Sequence, residues 1–312
     1  WFYVMVVVTV LLLTELKHTF TEFAQRMKND EMITLAKFLA ISGIILPMLP
    51  HKNLIPDINL TPYSIWLATV VVSGISYLSY LLKRYVFHES GTLVSGIIGG
   101  LYSSTATISV LARKSRKASE QEATDYVAAM LLAVSMMFLR FMILILIFSR
   151  EIFLSIYPYL LTMAVVAAIV AWFIHSRQKR PEDQPAETEE DDSSNPLEFK
   201  VALIFAVLFV IFTFLTHYTL VYAGTGGLNL LSFVSGFSDI TPFILNLLQN
   251  TGSVAALIIT ACSMQAIISN IMVNMFYALF FAGKGSKLRP WILGGFGVVI
   301  ACNLVLLLFF YI

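Results

Sequence analysis

The sequence predicts an all-α polytopic membrane protein with about 8–10 hydrophobic helices, arranged as inverted repeats that each contain a broken or re-entrant segment. The chain of 312 residues is 58% hydrophobic and only 12% charged, whereas a soluble domain carries about 25% charged residues. Apolar runs near the ~20 residues needed to cross a hydrocarbon core recur along the chain. Two of these runs contain helix breakers and hydroxyl side chains near their middle.

Ten segments have the length and apolarity of membrane helices. Their apolar residues form unbroken runs rather than a period of two, which favours helices over barrel strands. We place them at 1–14, 33–50, 63–82, 92–112, 124–148, 153–174, 198–222, 228–249, 253–282 and 290–312. The predicted organisation is N-terminal membrane helices (1–62), a first repeat (63–175), a linker (176–197) and a second repeat (198–312). Because Trp1 already lies inside an apolar run, we expect the first helix to be truncated.

The linker contains the run SRQKRPEDQPAETEEDDSSN. It is rich in acids, proline and serine and lacks apolar periodicity, so it cannot bury enough surface to fold. We expect a disordered, cytoplasmic connection between the repeats. A regulatory or cation-attracting tail is the alternative.

The lysines and arginines favour two re-entrant segments. If all ten segments span, the loops carry nine of these residues on one side and eight on the other. If 92–112 and 228–249 instead return to the side from which they enter, fifteen share one side and only Lys52 and Arg150 lie opposite. Basic loops prefer the cytoplasm, so the second arrangement is predicted. The two broken segments then enter from opposite faces, as in transporter and channel folds with inverted repeats.

The first broken segment contains LVSGIIGGLYSSTATISVL. Gly99 and Gly100 are predicted to break the helix. Its hydroxyl residues would cap the freed N–H groups or face a wet cavity; they are Ser103, Ser104, Thr105 and Thr107.

The second broken segment contains LSFVSGFSDITPFILNLLQ. Gly236 is predicted to break the helix, Pro242 to supply a first-turn residue without an N–H, and Asp239 or Ser238 to cap the helix that follows. Close helix packing by small residues is the alternative for both segments. We predict a polar pathway lined by 96–107 and 235–243, with Thr241 included, because an acid such as Asp239 is costly in a membrane unless it is paired or hydrated.

Two further polar features belong with these segments. Arg140 lies in the middle of 124–148 and needs a counter-charge or water there, and Asp239 is the one acid deep in an apolar segment. We therefore hypothesise that the two side chains pair, directly or through water. Asn270 and Asn274 lie four residues apart on one helical face, where they either line the pathway or bond between helices.

Several function classes find no support in the sequence. It contains no phosphate-binding loop, no Cys/His metal cluster and no nucleophile with a positioned base, so we expect neither an enzyme nor a cofactor. No basic and aromatic face is available for nucleic acid. The expected partners are the lipid bilayer and a small ion or polar solute. The small residues at 294–299 could seal a homodimer or pack within the chain.

Blocks of the sequence resemble a known family: KFLAISGIILPMLP, GLYSSTATISVLARKSRKA, MMFLRF, NPLEFKVAL, GFSDITPF and SNIMVNMFYALFFAG. They are similar, in order, to the C-terminal membrane domain of bacterial MgtC/SapB-type proteins. The resemblance implies an inner-membrane protein with no settled function to carry over. The chain departs from the family pattern where Ile240–Phe243 replace a second acid and where Asn274 replaces a lysine.

We expect a channel or secondary transporter. The alternative is a membrane regulator that does not transport and acts on another membrane complex. Mutational sensitivity would then lie on its lipid-facing or loop surfaces instead of in the broken segments.

Overall fold

The computed structural model describes residues 29–55, 58–87, 91–116, 120–177, 199–249, 254–283 and 288–311, with ten further positions between 3 and 17. The chain forms two compact units, Trp1–Met48 and Leu49–Ile312. In the first unit the described positions between 3 and 17 are helical, and helix α1 covers Asn29–Met48.

The second unit contains the remaining helices. Proline and hydroxyl residues define two of their starts. Thr61 and Ser64 form a capping box around Pro62, the first residue of its helix, and Ser149 caps the helix that begins at Arg150. The helices are α2 (Pro62–Leu81, continued by a π-helical turn, Leu82–Val86), α3 (Thr92–Lys114), α4 (Glu120–Phe148), α5 (Arg150–Ser176), α6 (Phe199–Ser235), α7 (Ile240–Gln249), α8 (Ala256–Ala282) and α9 (Arg289–Tyr311).

By length and composition alone, eight helices among the described residues could cross a membrane. They are α1 to α6, α8 and α9, and α7 is a shorter apolar helix. No strand occurs in the described ranges, which hold one isolated bridge between Ile55 and Ile58. The prediction of an all-α polytopic membrane protein is confirmed.

Helix α3 is a hairpin. Ser103 has extended backbone angles (φ −159°, ψ 109°) and separates two halves, 92–102 and 104–114. A methyl group on Gly99 would lie 2.5 Å from the Thr107 hydroxyl oxygen, although residues eight apart in a straight helix are about 12 Å apart along the axis. The chain therefore folds back at Ser103. Each half is about 16 Å long, too short for a hydrocarbon core of ~30 Å.

The break in α3 corrects the prediction that Gly99 and Gly100 interrupt the helix. Both glycines are helical, and they serve close packing instead. A methyl group on Gly100 would lie 2.5 Å from the Cα of Ala133 in α4, and Gly99 faces the returning half of the hairpin.

Helix α6 also turns back on itself. Gly224 has φ 59° and ψ −153°, a conformation that is essentially restricted to glycine. Beyond it, Gly227 lies against Thr219, so 225–235 runs antiparallel to 199–223. Residues 236–239 then interrupt the helix before α7. The predicted segments 198–222 and 228–249 are thus one helix with a turn, followed by a break inside the second segment.

The two broken segments pack on their partner helices in the same register. In the first repeat Gly96 contacts Ala129 and Gly100 contacts Ala133. In the second, the Cys262 thiol bonds to Asn229 and Gly236 contacts Ser269. Each pair is separated by 33 residues. The first half of α3 therefore runs beside α4 from the start of α4, as 225–235 runs beside α8 from the start of α8.

Contacts between helix ends fix the orientation of these pairs within the second unit. Arg116, at the end of α3, donates to the carbonyl of Phe280 near the end of α8, and Asn59, before α2, donates to Gln249 at the end of α7. The starts of α4 and α8 thus lie at opposite ends of the bundle, and the two broken segments open toward opposite ends. This is the inverted arrangement that the charge count predicts.

Among the helices of membrane length, α4 and α8 have the largest buried shares, and they contact the two broken segments. Ala128, Ala129, Leu131 and Ala133 of α4 are fully buried, as are Cys262, Met264 and Ile267 of α8. Small residues on α4 allow the close approach of α3. The predicted division at 62–63 and 175–198 stays a prediction, and residues 178–197 of the linker lie outside the described ranges.

Candidate functional site

A cavity of about 450 Å³ lies where the two broken segments meet in the second unit. Residues of α2, α3, α4, α6 and α8 contribute to its lining, together with the break at 236–239 and the start of α7. Nine of the twelve predicted site residues line it: Gly100, Ser103, Ser104, Thr105, Arg140, Ser238, Asp239, Thr241 and Asn270. The structure thus brings together residues that are up to 170 positions apart in the sequence.

At the first break, hydroxyl residues start the returning half of α3. The Ser103 side chain accepts a hydrogen bond from the Ala106 N–H, with an N···O distance of 3.4 Å, as an N-cap residue does. Ser104 is buried and Thr105 half-buried, and both line the cavity in the first turn of 104–114. N–H groups in the first turn of a helix have no intrahelical acceptor, so this end of the half-helix presents donors to the cavity.

Arg140 meets the other half of the same hairpin. Its Nη1 atom donates to the carbonyl oxygen of Tyr102, 2.8 Å away, at the C-terminus of 92–102. A cation is favourable there because the last carbonyls of a helix carry partial negative charge. The Nε atom of Arg140 is fully buried and has no hydrogen-bond partner among the described residues.

At the second break, Asp239 caps α7. Its Oδ1 atom accepts the Thr241 N–H at 2.9 Å, so the cap predicted for Asp239 or Ser238 is made by Asp239. The carboxylate is exposed on the cavity wall. Its negative charge is favourable at the start of a helix, and its second oxygen retains capacity to accept further hydrogen bonds.

Helix α8 satisfies the carbonyls that the second break frees. Asn270 donates from Nδ2 to the carbonyls of Gly236 (3.2 Å) and Ser238 (3.5 Å), and Ser269 donates to that of Phe233 (2.6 Å). Asn274 donates to the side-chain oxygen of Asn270 at 3.1 Å. Asn270 therefore donates hydrogen bonds to carbonyls at the second break, as Arg140 donates to the Tyr102 carbonyl at the first.

The two breaks are equivalent positions of the repeats. The same interval of 136 residues separates Gly100 from Gly236, Ala133 from Ser269 and Ser103 from Asp239. Ser103 and Asp239 both cap the half-helix that follows them. The equivalent caps differ in charge, and this difference places an acid in one break only.

The predicted ion pair between Arg140 and Asp239 is not formed as a direct contact. No nitrogen of Arg140 lies within 4.0 Å of an Asp239 carboxylate oxygen in the described residues. Each charge instead bonds to a helix terminus whose partial charge is opposite in sign. A pair mediated by water stays a prediction.

Three predicted site residues do not line the cavity. Gly99 and Thr107 pack on each other inside the α3 hairpin, and Asn274 is fully buried behind Asn270. All three support residues that do line it, which fits a positioning role in the hairpin or in the hydrogen-bond chain.

The stretch of the chain that matches a known protein family includes all the residues that line the cavity. Residues 70–282 match the family described as "Domain of unknown function (DUF4010)". The chain belongs to the DUF4010 family. The matched stretch contains both breaks, Arg140 and Asn270, so the cavity lies within the domain that defines the family.

A relative of this DUF4010 chain is an "Uncharacterized protein" of Aquifex aeolicus (strain VF5). It is 24% identical over 227 residues, which cover 71% of this chain and 96% of the relative. No solved structure matches the chain. Neither name refers to MgtC/SapB-type proteins, so the likeness to them stays a prediction.

Several residues that line the cavity of the DUF4010 chain were not predicted from the sequence. Ser73 and Ser76 of α2 are buried and line the cavity, as do Tyr102 and Tyr277. A signal was present, because Ser73, Ser76 and Ser79 recur every three residues and so lie near one face of α2. The tyrosines gave no signal, since aromatic residues are common in the other apolar segments.

Proposed function

We propose that this protein carries a small ion or polar solute across a membrane, through a pathway lined by 96–107 and 235–243. The supporting observation is the convergence of two broken segments, Arg140 and Asp239 on one cavity within a bundle of apolar helices. Irregular backbone at membrane depth is tolerated where it lines a water-filled cavity or is buried in protein. Charged side chains at that depth mark ion and substrate pathways in many membrane proteins.

The inverted arrangement supports a transport mechanism. Transporters with inverted repeats bind their substrates where broken segments meet, and they alternate access by moving one repeat against the other. Here the α3 hairpin opens toward one end of the bundle and the segment 225–249 toward the other. Each forms one wall of the cavity, so a small displacement of either would open the site to its own side.

The basic residues indicate the orientation. Lys and Arg residues gather at the end where α3 begins, among them Lys83, Arg84, Arg113, Lys114, Arg116, Arg177 and Arg289. Lys52 and Arg150 lie at the other end. We therefore place the first end, and the linker at 176–197, in the cytoplasm of a bacterial cell with the bundle in its inner membrane. We assign no catalytic role, and a homodimer and the MgtC/SapB relationship are part of the same proposal.

Cysteine labelling tests whether the cavity is water-accessible. In a variant with Cys262→Ser and Cys302→Ser, we would introduce Ser104→Cys or Ser238→Cys and add a membrane-impermeant thiol reagent from each side. Because both positions line one cavity, we expect both to react from at least one side. Val165→Cys, on the exposed apolar face of α5, is the matched control and should stay unlabelled in lipid.

Flux through proteoliposomes completes the test. If the cavity is the pathway, labelling at Ser104→Cys should block flux, while treatment of the Val165→Cys control should not. Protection of both cavity positions from both sides would make the broken segments dry packing elements. The regulator would then be the better interpretation, and capture of a partner membrane complex would be the next measurement.

A further inference from the structure

The cavity holds a separated pair of opposite charges, and this feature bears on the substrate. Arg140 and Asp239 are the two charged residues in its lining among the described residues. Each is held by its own helix terminus, through the Tyr102 carbonyl and the Thr241 N–H respectively. Neither charge is neutralised by direct contact with the other, although both lie in a membrane-embedded site where an unpaired charge is costly.

The side of the cavity at Arg140 offers hydrogen-bond donors. Arg140 is half-buried and lines the cavity. Its Nη1 atom bonds to the Tyr102 carbonyl, and the guanidinium carries further N–H groups. The hydroxyls of Ser103, Ser104 and Thr105 and the start of the half-helix 104–114 lie on the same wall. A guanidinium beside a helix N-terminus is suited to a carboxylate or another oxyanion.

The side at Asp239 offers acceptors. One carboxylate oxygen accepts the Thr241 N–H, and the other retains acceptor capacity. Asn270 is occupied with the carbonyls of the break, because its Nδ2 atom donates to Gly236 and Ser238. An ammonium group is the complement of an exposed carboxylate in this position.

The size of the cavity argues against a simple ion. Its volume of about 450 Å³ lies within the ~300–1,000 Å³ of small-molecule sites. A dehydrated divalent cation would need several oxygen ligands close together. The cavity has one acid, and no group of three or more metal-binding side chains occurs in the described ranges. Apolar lining residues, among them Val72, Met137 and Phe205, suit the carbon skeleton of an organic solute.

We propose that the substrate is a small zwitterion of amino-acid size, whose carboxylate binds Arg140 and the 103–105 hydroxyls and whose ammonium group binds Asp239. This inference rests on the proposed transport function and names its substrate class. The bound zwitterion would bridge the two charges.

Matched triads of solutes test the charge requirement. Each triad shares one carbon skeleton and differs only in its charged groups: alanine, propionate and ethylamine; leucine, 4-methylpentanoate and isoamylamine; phenylalanine, 3-phenylpropionate and phenethylamine. Uptake of each radiolabelled solute would be measured with the full chain in phosphatidylglycerol liposomes, because this lipid headgroup has no ammonium group that could occupy the site. We expect the zwitterion of at least one triad to be taken up at least tenfold faster than its acid and its amine.

Two variants assign the charges to the two groups. Arg140→Gln should weaken zwitterion binding at least tenfold, and Arg140→Lys should restore part of it because it keeps the charge without the guanidinium geometry. Asp239→Asn keeps a capping side chain and should reduce the preference for the zwitterion over its matched acid. The comparison of solutes on the unaltered protein decides the charge class even if a variant fails to fold.

The outcomes separate this inference from the proposed function. Uptake of the acid or the amine as fast as the zwitterion would overturn the zwitterion proposal. Flux of inorganic ions that labelling at Ser104→Cys blocks, without uptake of any zwitterion, would overturn it as well and leave the transport proposal standing. The absence of any cavity-dependent flux, of ions or of triad solutes, would overturn both.

Discussion

At the residue scale, the two charged side chains owe their places to helix ends. Arg140 bonds to the C-terminal carbonyl of one half-helix, and Asp239 accepts an N–H at the N-terminus of another. Each charge is opposite in sign to the partial charge of its helix end, which makes both placements favourable. The charges are therefore stabilised where they lie without forming a direct pair, and both stay available to the cavity.

Asp239 serves as a cap and as a charge, and two substitutions separate these roles. Asp239→Ala removes the acceptor of the Thr241 N–H and should lower the free energy of unfolding by about 0.5–2 kcal/mol, whereas Asp239→Asn still caps and should keep most of it. Thermal unfolding in detergent measures both. If hydrated cations pass, Asp239→Asn should reduce flux despite its stability. Equal destabilisation by the two variants would show that the hydrogen bond from the Thr241 N–H does not account for the stability that Asp239 contributes.

Exchanging the charges should not restore the protein. In the double variant Arg140→Glu with Asp239→Lys, the acid would face the Tyr102 carbonyl and the base would face the start of α7. Both placements are unfavourable because each charge would have the same sign as the partial charge of its helix end. The cost in stability is about 0.3–1 kcal/mol for an exposed charge and more for a buried one. We expect a thermal midpoint no higher than that of the worse single variant. Recovery to the unaltered midpoint would instead support a pair that forms through water.

At the element scale, the glycines of the broken segments act through packing distance. A methyl group on Gly236 would lie 2.3 Å from the Cβ of Ser269, and one on Gly100 would lie 2.5 Å from the Cα of Ala133. These contacts hold the two segments against α8 and α4. The break in the first segment lies three residues further along, at Ser103, whereas Gly236 is the first residue of the break at 236–239.

Gly236→Ala should be destabilising because the added methyl group has no space. Overpacking of this kind costs about 1–3 kcal/mol. Gly74→Ala in α2 is the matched control, since no atom lies within 4 Å of its added methyl group and alanine favours the helix by about 0.5–1 kcal/mol. Thermal unfolding of the two variants should shift in opposite directions. A Gly236→Ala variant as stable as the control would contradict the close approach to α8.

At the scale of the whole molecule, the second unit has two unlike ends. The basic end gathers the ends of α2, α3, α5 and α8, and the opposite end contains the loop before α2 and the end of α7. His175 and Asp125 approach to 2.7 Å at the basic end. This contact joins the end of α5 to the start of α4, so both helices traverse the bundle once.

Labelling from each side should distinguish the two ends. Asn53→Cys, in the exposed loop before α2, should react from the outside only, and Ser176→Cys, exposed at the end of α5, from the cytoplasm only. The background would again have Cys262→Ser and Cys302→Ser. Reaction of both positions from one side would contradict the hairpin in α3, because a fully spanning α3 would change the number of crossings between them.

The sequence by itself determined the class of protein and the two segments that contain most of the site residues. Composition and the length of the apolar runs predict a bundle of membrane helices, because a run of ~20 apolar residues is the length of a membrane-spanning helix, and a helix satisfies its own backbone hydrogen bonds in lipid. The hydroxyls of SSTAT and the acid of SDIT marked the broken segments, because such groups are costly in lipid without a structural reason. The charge asymmetry of the loops indicated that these segments return to the side they enter.

Only the tertiary structure decided where the breaks lie and what they bring together. Gly99 and Gly100 are local helix breakers by propensity, yet they stay helical, because packing against the returning half-helix and against α4 outweighs that propensity. The bond from Arg140 to the Tyr102 carbonyl joins two helices, and no periodicity encodes it. The convergence of Ser103, Arg140 and Asp239 on one cavity depends on how α3 and α6 fold back and how both pack with α4. Such long-range packing is a property of the whole bundle, which local sequence patterns do not contain.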